Sequence, residues 1–482
     1  MSSFSFKLLP WSFAALTLAG CAVGPNYKRP GVNAPAGFRD AENLVSTNSL
    51  ADLPWWGVFK DAALQDLIRV ALTNNYDLRI ILTRVDQARA LQMQARSQFL
   101  PQIGATGEAS RGRNSFLGLA TPNGGQTMNG FLGGFEALWE IDLWGRVRRM
   151  NEAARANFMA TQEGRRNVIT SLVSGVAGAY FELLELDDQL AIAKRTRDSY
   201  QRTFKLFDDQ HNAGLASNLE VSRAKLALRS VSANIPEIER QIALKENEIN
   251  TLLGSNPGPV PRTSTLLAQE LPIEIPVGLP SDLVERRPDI RMAEQRVRQA
   301  NAEIGVAVGD FFPRVGLTTF YGGASGQLHN LVSTSANTWS LAASAAAPLF
   351  TGGRLTGQYR QAKASWEEAK LQYQQTALTA FREVSDALVS HSLFEEERVE
   401  QAEAVDAGRQ AVAVATDRYK EGRASYYEVL EAQQQLYPAE TSLSRIEASR
   451  RLTIVQLYKA LGGGWDPETP VNLAAKSASS GN

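Results

Sequence analysis

A chain of 482 residues has room for two or three domains, and its 44% hydrophobic content is ordinary for a chain with a packed core. A net charge of −1 gives no sign of nucleic-acid binding. Three scattered histidines and one cysteine argue against a His/Cys metal site, and the single cysteine excludes an internal disulfide.

The N-terminus reads as a signal peptide over 1–20. Lys7 is followed by an apolar stretch to Leu18, then by the small residues Ala19 and Gly20. The stretch is too short to span a bilayer. Leu18-Ala19-Gly20-Cys21 resembles the bacterial lipobox, which implies cleavage before Cys21 and lipidation of its thiol. In lipoproteins an Asp after the cysteine retains the chain at the inner membrane. Ala22 stands there instead, which points to the outer one.

Residues 21–59 form an irregular segment. A first structural unit is expected over 60–254: a helix, a β-hairpin over 101–144 and a helical hairpin over 146–254. In the β-hairpin Phe131, Phe135, Ala137, Trp139, Ile141 and Leu143 alternate with Glu136, Glu140 and Asp142, one face apolar and one acidic. Ile103, Ala105 and Gly107 supply the partner strand. No proline lies between Pro122 and Pro236. Ile169, Leu172, Val176, Ala179, Leu183, Leu186, Leu190 and Ala193 repeat at 3-4 spacing, a coiled-coil seam. A helix over 146–212 would be ~100 Å long. It stops at Gly214. Ser217, with Glu220 three residues on, predicts the N-cap of a return helix that ends at Gly254. Pro236 inside that helix predicts a kink.

Residues 255–280 form a Pro-rich linker, and a second unit is expected over 281–463. It repeats the order: a helix, a β-hairpin over 313–350 with Trp339, Leu341, Ala343, Ala345 and Ala347 alternating, and a helical hairpin over 353–463. Its seam uses Ala362, Trp366, Ala369, Tyr373, Ala377, Ala380, Val384 and Ala387. Ser425 and Glu428 stand where Ser217 and Glu220 stand, Gly422 matches Gly214, and Pro438 predicts a second kink. Residues 464–482 read as a polar tail. The repetition is literal. Asp77/Asp289, Arg79/Arg291, Phe99/Phe311, Pro101/Pro313 and Gly104/Gly316 lie 212 apart, whereas Gly145/Gly353, Arg146/Arg354, Ser217/Ser425 and Glu220/Glu428 lie 208 apart. An internal duplication of a half-subunit follows.

No window after the signal peptide offers ~20 uninterrupted apolar residues. A membrane crossing must therefore use strands, and four strands cannot close a barrel. Three chains would supply twelve, with the apolar face towards lipid and Glu136, Glu140 and Asp142 towards water.

Several motifs, in this order, resemble the outer-membrane factor (TolC-like) family, lipoprotein branch of OprM and NodT type. They are Cys21-Ala-Val-Gly-Pro-Asn-Tyr27, Trp55-Trp56, Phe99-Leu-Pro101, Trp139-Glu-Ile-Asp-Leu-Trp-Gly-Arg146, Arg286-Arg-Pro-Asp-Ile-Arg291, Phe311-Phe-Pro313 and Pro348-Leu-Phe-Thr-Gly-Gly-Arg354. The resemblance implies an α+β membrane protein and a homotrimer with a twelve-stranded β-barrel in the outer membrane. It implies a periplasmic α-helical tunnel, and docking to a periplasmic adaptor and an inner-membrane pump of RND type. The implied function is a passive conduit for drugs or other small toxic compounds, with no catalytic residue, cofactor or metal. Type I protein secretion or metal efflux is the alternative. The tips at Gly214, Ser217, Gly422 and Ser425 would dock the adaptor. The gate would lie at Tyr419, Glu428 and Glu431. TolC itself carries an Arg where this chain has Ala424, so Asp417, Arg418 or Arg423 would replace that latch. A solvated helix face explains the Glu428–Glu431 spacing equally well.

Overall fold

A computed structural model describes residues 22–39, 49–120, 125–269, 278 and 280–464. The signal peptide, Cys21 and the tail from 465 lie outside the described residues. The chain divides into two units. One takes 22–31, Arg84–Gln162 and Met292–Gln374, and the other takes the rest of the described chain.

In chain order the helices are α1 (Trp55–Val58), α2 (Ala62–Asn74), α3 (Tyr76–Ser97), α4 (Arg146–Asn212), α5 (Asn218–Leu252), α6 (Pro280–Arg286), α7 (Pro288–Gly309), α8 (Arg354–Lys420) and α9 (Tyr426–Ala460). α4 and α8 each have 67 residues, and α5 and α9 each have 35. Both return helices run unbroken through Pro236 and Pro438. Gly254 and Gly462, at φ +68° and +82°, close them, with the Ser255 amide donating to the Asn250 carbonyl and the Gly463 amide to the Tyr458 carbonyl. The α4 seam packs as its spacing predicts, since Ile169, Leu172, Val176, Ala179, Leu183 and Ala193 are buried. The α8 seam is buried from Tyr373 to Ala387, but Ala362, Trp366 and Ala369 remain half-exposed. α4 is also long and apolar enough, by length and composition, to cross a membrane. Two-thirds of its most apolar window, 67%, is buried in the protein, as in the core helix of a helical hairpin.

Strands β1 (Gln102–Arg113), β4 (Thr127–Ile141), β5 (Arg314–Ser325) and β6 (Asn337–Ala346) form one antiparallel sheet in the order β1-β4-β5-β6, and the short β2 (Ser115–Phe116) and β3 (Leu119–Ala120) pair separately. Ile103 faces Ala137, Phe135 faces Tyr321, and Tyr321 faces Trp339, so the apolar positions of all four strands share one side. Glu108, Glu136 and Glu140 fall on the other.

The acidic trio read as one wet face is divided by the fold. Among the described residues Glu136 makes no ion pair. Glu140 holds Arg146 through two hydrogen bonds of 3.0 and 2.7 Å. Asp142 lies past the end of β4 and caps α4, accepting from the Val147 amide at 3.0 Å and the Arg148 amide at 2.9 Å. Trp144 donates to the Pro313 carbonyl at 2.8 Å and stacks on Phe312. The Trp139–Arg146 motif is thus a strand-to-helix joint, and a carboxylate at a helix N-terminus is held by unpaired amides and the helix dipole.

Residues 22–31 are strapped onto this joint. The Val23 amide donates to the Trp144 carbonyl, and buried Arg149 donates to the carbonyls of Val23 and Gly24 and to Asn26 Oδ1. Gly24 sits at φ +92°, and a Cβ there would lie 2.5 Å from Gly305 Cα. Tyr27 donates to Glu294 and lies under the Arg298 guanidinium. Burial, reinforced by the Glu294 charge, pushes its hydroxyl up to about 12.

Candidate functional site

The two helical hairpin tips lie in one unit and share a backbone solution. Gly214 and Gly422 adopt φ +74° and +70°, and no atom lies within 4 Å of a Cβ built on either. Glycine is needed there for the left-handed turn alone. The Leu215 amide donates to the Gln210 carbonyl and the Arg423 amide to the Arg418 carbonyl, each at 2.8 Å.

The side chains differ. Ser217 and Glu220 form the reciprocal capping box: Ser217 Oγ accepts from the Glu220 amide at 3.4 Å, and Glu220 Oε2 accepts from the Ser217 amide at 2.7 Å. Ser425 begins α9 with no side-chain cap. Glu428 instead pairs with Arg418 on α8, at 3.3 Å, both side chains about half exposed at 41% and 52%. The repeated cap that the sequence implies is therefore not made, because a cation across the hairpin takes its carboxylate.

Tyr419 contacts the other hairpin, accepting from Gln210 Nε2 at 3.3 Å. Its ring meets Tyr426 edge-on at 5.1 Å, and Tyr426 meets Phe207 edge-on at 4.6 Å. The Tyr426 hydroxyl is hydrogen-bonded to Thr203, and burial holds its pKa above the ordinary phenol range. Farther along, Gln433 donates to Ser199 Oγ at 3.1 Å and Asn234 to the Tyr437 hydroxyl at 3.4 Å. Aromatic rings and neutral hydrogen bonds thus join α4 and α5 to α8 and α9. A cleft of about 250 Å³ opens beside them, lined by Phe207, Ser217, Leu219, Arg223, Tyr426 and Tyr427.

The remaining candidates are exposed. Asp417 pairs with Lys420 and Arg423 with Glu421, each at 3.3 Å, and Glu431 makes no ion pair among the described residues. Gln210, Thr203 and Tyr426 were not legible as site residues. Among the described residues no cluster of His, Cys, Asp and Glu is arranged to hold a metal.

Comparison with known proteins places this architecture. The family described as outer membrane efflux protein matches residues 67–255 and 279–463. The solvent efflux pump outer membrane protein SrpC of Pseudomonas putida is 34% identical over 471 residues, 95% of this chain and 98% of that protein. The cation efflux system protein CusC of Escherichia coli K12 is 32% identical over 461 residues, 95% of this chain and 99% of that one. The open state of the Neisseria gonorrhoeae MtrE outer membrane channel matches with a TM-score of 0.84 at 29% identity, covering 93% of this chain and 100% of that one. The chain belongs to the outer membrane efflux protein family, and it is a TolC-like outer-membrane channel of an efflux system.

Proposed function

We propose that three copies of this chain close one twelve-stranded barrel in the outer membrane and continue it as a periplasmic helical tunnel, a passive conduit for small toxic organic compounds. The observation that carries this reading is the sheet: four strands, one apolar face and two open edges. Unpaired backbone in hydrocarbon costs several kcal/mol per group, so such a sheet is stable in lipid only when other copies complete it. The channel has no energy source or cofactor of its own. A pump and a periplasmic adaptor supply the drive, and the adaptor docks at the tips around Gly214, Ser217, Gly422 and Ser425.

Closure at rest is assigned to the Arg418–Glu428 pair and to the Tyr419–Gln210 hydrogen bond, with Glu431 lining the same mouth. A lipid on Cys21 anchors the chain. The strap over 22–31 supports this, since it ends beside the joint where the apolar strands stop. The test is conductance of purified protein in planar bilayers, with drug and solvent susceptibility of a deletion strain. Channels of uniform size and restored resistance are expected. No conductance overturns the pore, and resistance restored only to metal ions moves the cargo to cations.

A further inference from the structure

The apolar side of the sheet carries charge at one end only. Cross-strand partners put Ile103, Ala109, Arg111 and Arg113 of β1 on the same side as Phe131 and Phe135 of β4. Arg111 and Arg113 are the only charged residues on that side of the four strands. Both are exposed, and among the described residues neither makes an ion pair. Glu108, Glu136, Glu140 and Arg314 all fall on the opposite side.

The connections set the height of these arginines. β4 runs at Ile141 into α4 and β5 starts at Arg314 after α7, so the ends at Thr127 and Ser325 point away from the helices and out of the cell. From Ile141 to Phe131 a strand rises roughly 33 Å, or about 25 Å at a tilt of ~40°, the height of a membrane barrel's apolar band. Asn129 and Thr127, opposite Arg111 and Arg113, lie just above that band. Both guanidinium groups therefore stand in the headgroup layer of the outer leaflet. A cleft opens below them on the same side. Segment 326–336 turns back from β5 onto Gly133 and Gly323. A Cβ on Gly133 would lie 3.3 Å from Leu331 Cδ2, and one on Gly323 would strike the Leu331 carbonyl oxygen. The cleft, about 530 Å³, is lined by Phe135, Tyr321, Leu331, Val332 and Thr334. Val332 is 94% exposed, and the segment holds no Asp or Glu.

Resting on the trimeric barrel proposed above, we infer that this outer rim binds lipopolysaccharide, with the lipid A phosphates on Arg111 and Arg113 and one acyl chain in the cleft beneath segment 326–336. A guanidinium meets a phosphate through two parallel hydrogen bonds, and an arginine with no carboxylate beside it keeps all its donors for that use. The apolar lining suits a hydrocarbon chain, since Val332 and its neighbours would otherwise face water. Gly133 lies roughly 13 Å along β4 from Asn129, within reach of a fatty acyl chain that hangs from a headgroup at the arginines. A phospholipid phosphate has the same chemistry. The outward end of the strands selects the leaflet that lipopolysaccharide fills, and two adjacent cations suit a lipid with more than one phosphate.

The test is the lipopolysaccharide retained by the full-length channel purified in mild detergent, read by native mass. Arg111→Gln with Arg113→Gln should retain about tenfold less than the native chain, and Arg111→Lys with Arg113→Lys should recover part of the loss. Val332→Ser should give an intermediate loss through the cleft alone. Added lipopolysaccharide should raise the temperature at which the native trimer dissociates, while phosphatidylglycerol and dephosphorylated lipid A should not. Equal retention by the double glutamine variant overturns the site. An equal rise with phosphatidylglycerol overturns the assignment to lipopolysaccharide and leaves two cations that meet any anionic surface. Trimers that hold no lipopolysaccharide overturn this inference and leave the barrel standing, whereas single chains soluble without detergent would sink the barrel and this inference together.

Discussion

Glu220 and Glu428 occupy the same place in two hairpins of equal length, yet one caps its helix and the other does not. The cause lies across the turn. Gln210 stands where the second hairpin has Arg418. A neutral amide leaves Glu220 to the Ser217 amide, while a guanidinium draws Glu428 off Ser425 and onto α8. Gln210 is free to reach Tyr419, so one exchange at equivalent positions creates both the ion pair within the second hairpin and a hydrogen bond between the two hairpins. The strand-to-helix joints differ in the same way. The first is closed by Asp142, Glu140 and Arg149. The second carries Phe350 in place of Asp142 and Pro348 in place of Glu140, and stands open. The first joint satisfies its polar groups within the chain, and the second leaves Leu349 and Phe350 exposed.

The largest effect should come from the closed joint. Asp142→Ala removes the acceptor of two helix amides and the partner of Arg148, and should cost about 2 kcal/mol, read as an earlier loss of helix in urea by circular dichroism. Phe350→Ala, at the corresponding position, should leave that midpoint alone and weaken the trimer by native mass. Equal effects of the two variants on helix loss would break the comparison.

The tips give a sharper test. Ser217→Ala should cost about 1 kcal/mol, and Ser425→Ala close to nothing, since Ser425 makes no cap bond. With Arg418→Gln in place, Glu428 should return to the helix start. Ser425→Ala should then cost about 1 kcal/mol as well. Unchanged insensitivity at Ser425 in that background would mean that Arg418 does not govern the cap.

Resting conductance should rise by a factor of a few in Arg418→Gln with Tyr419→Phe. Each link is half-exposed or neutral and worth under about 1 kcal/mol. Raising the salt to ~1 M should reproduce the Arg418 part in the native channel by screening, and not the Tyr419 part. A salt-independent resting state would remove Arg418 from the gate. The smallest effect is on selectivity: Glu428→Gln with Glu431→Gln should lower cation preference in bilayer recordings. Unchanged reversal potentials would put both carboxylates on an outer, solvated face.

The positions of long helices, turns and strands were legible because their causes are local. A left-handed turn needs Gly214 and Gly422, a capping box needs Ser217 and Glu220, and a strand with one apolar face must alternate as residues 131–141 do. What the tertiary structure alone decided is where side chains find partners from distant sequence. Asp142 continues the alternating pattern of β4, and only the start of α4 beside it turns it into a cap. Glu428 looked like a second Glu220 until α8 brought Arg418 to 3.3 Å. Gly24 looks like an ordinary glycine until the strap crosses α7 at Gly305, which leaves no room for a side chain on Gly24. Local backbone preference is written in a few neighbouring residues, whereas charge pairing and close approach depend on which segments the fold sets side by side.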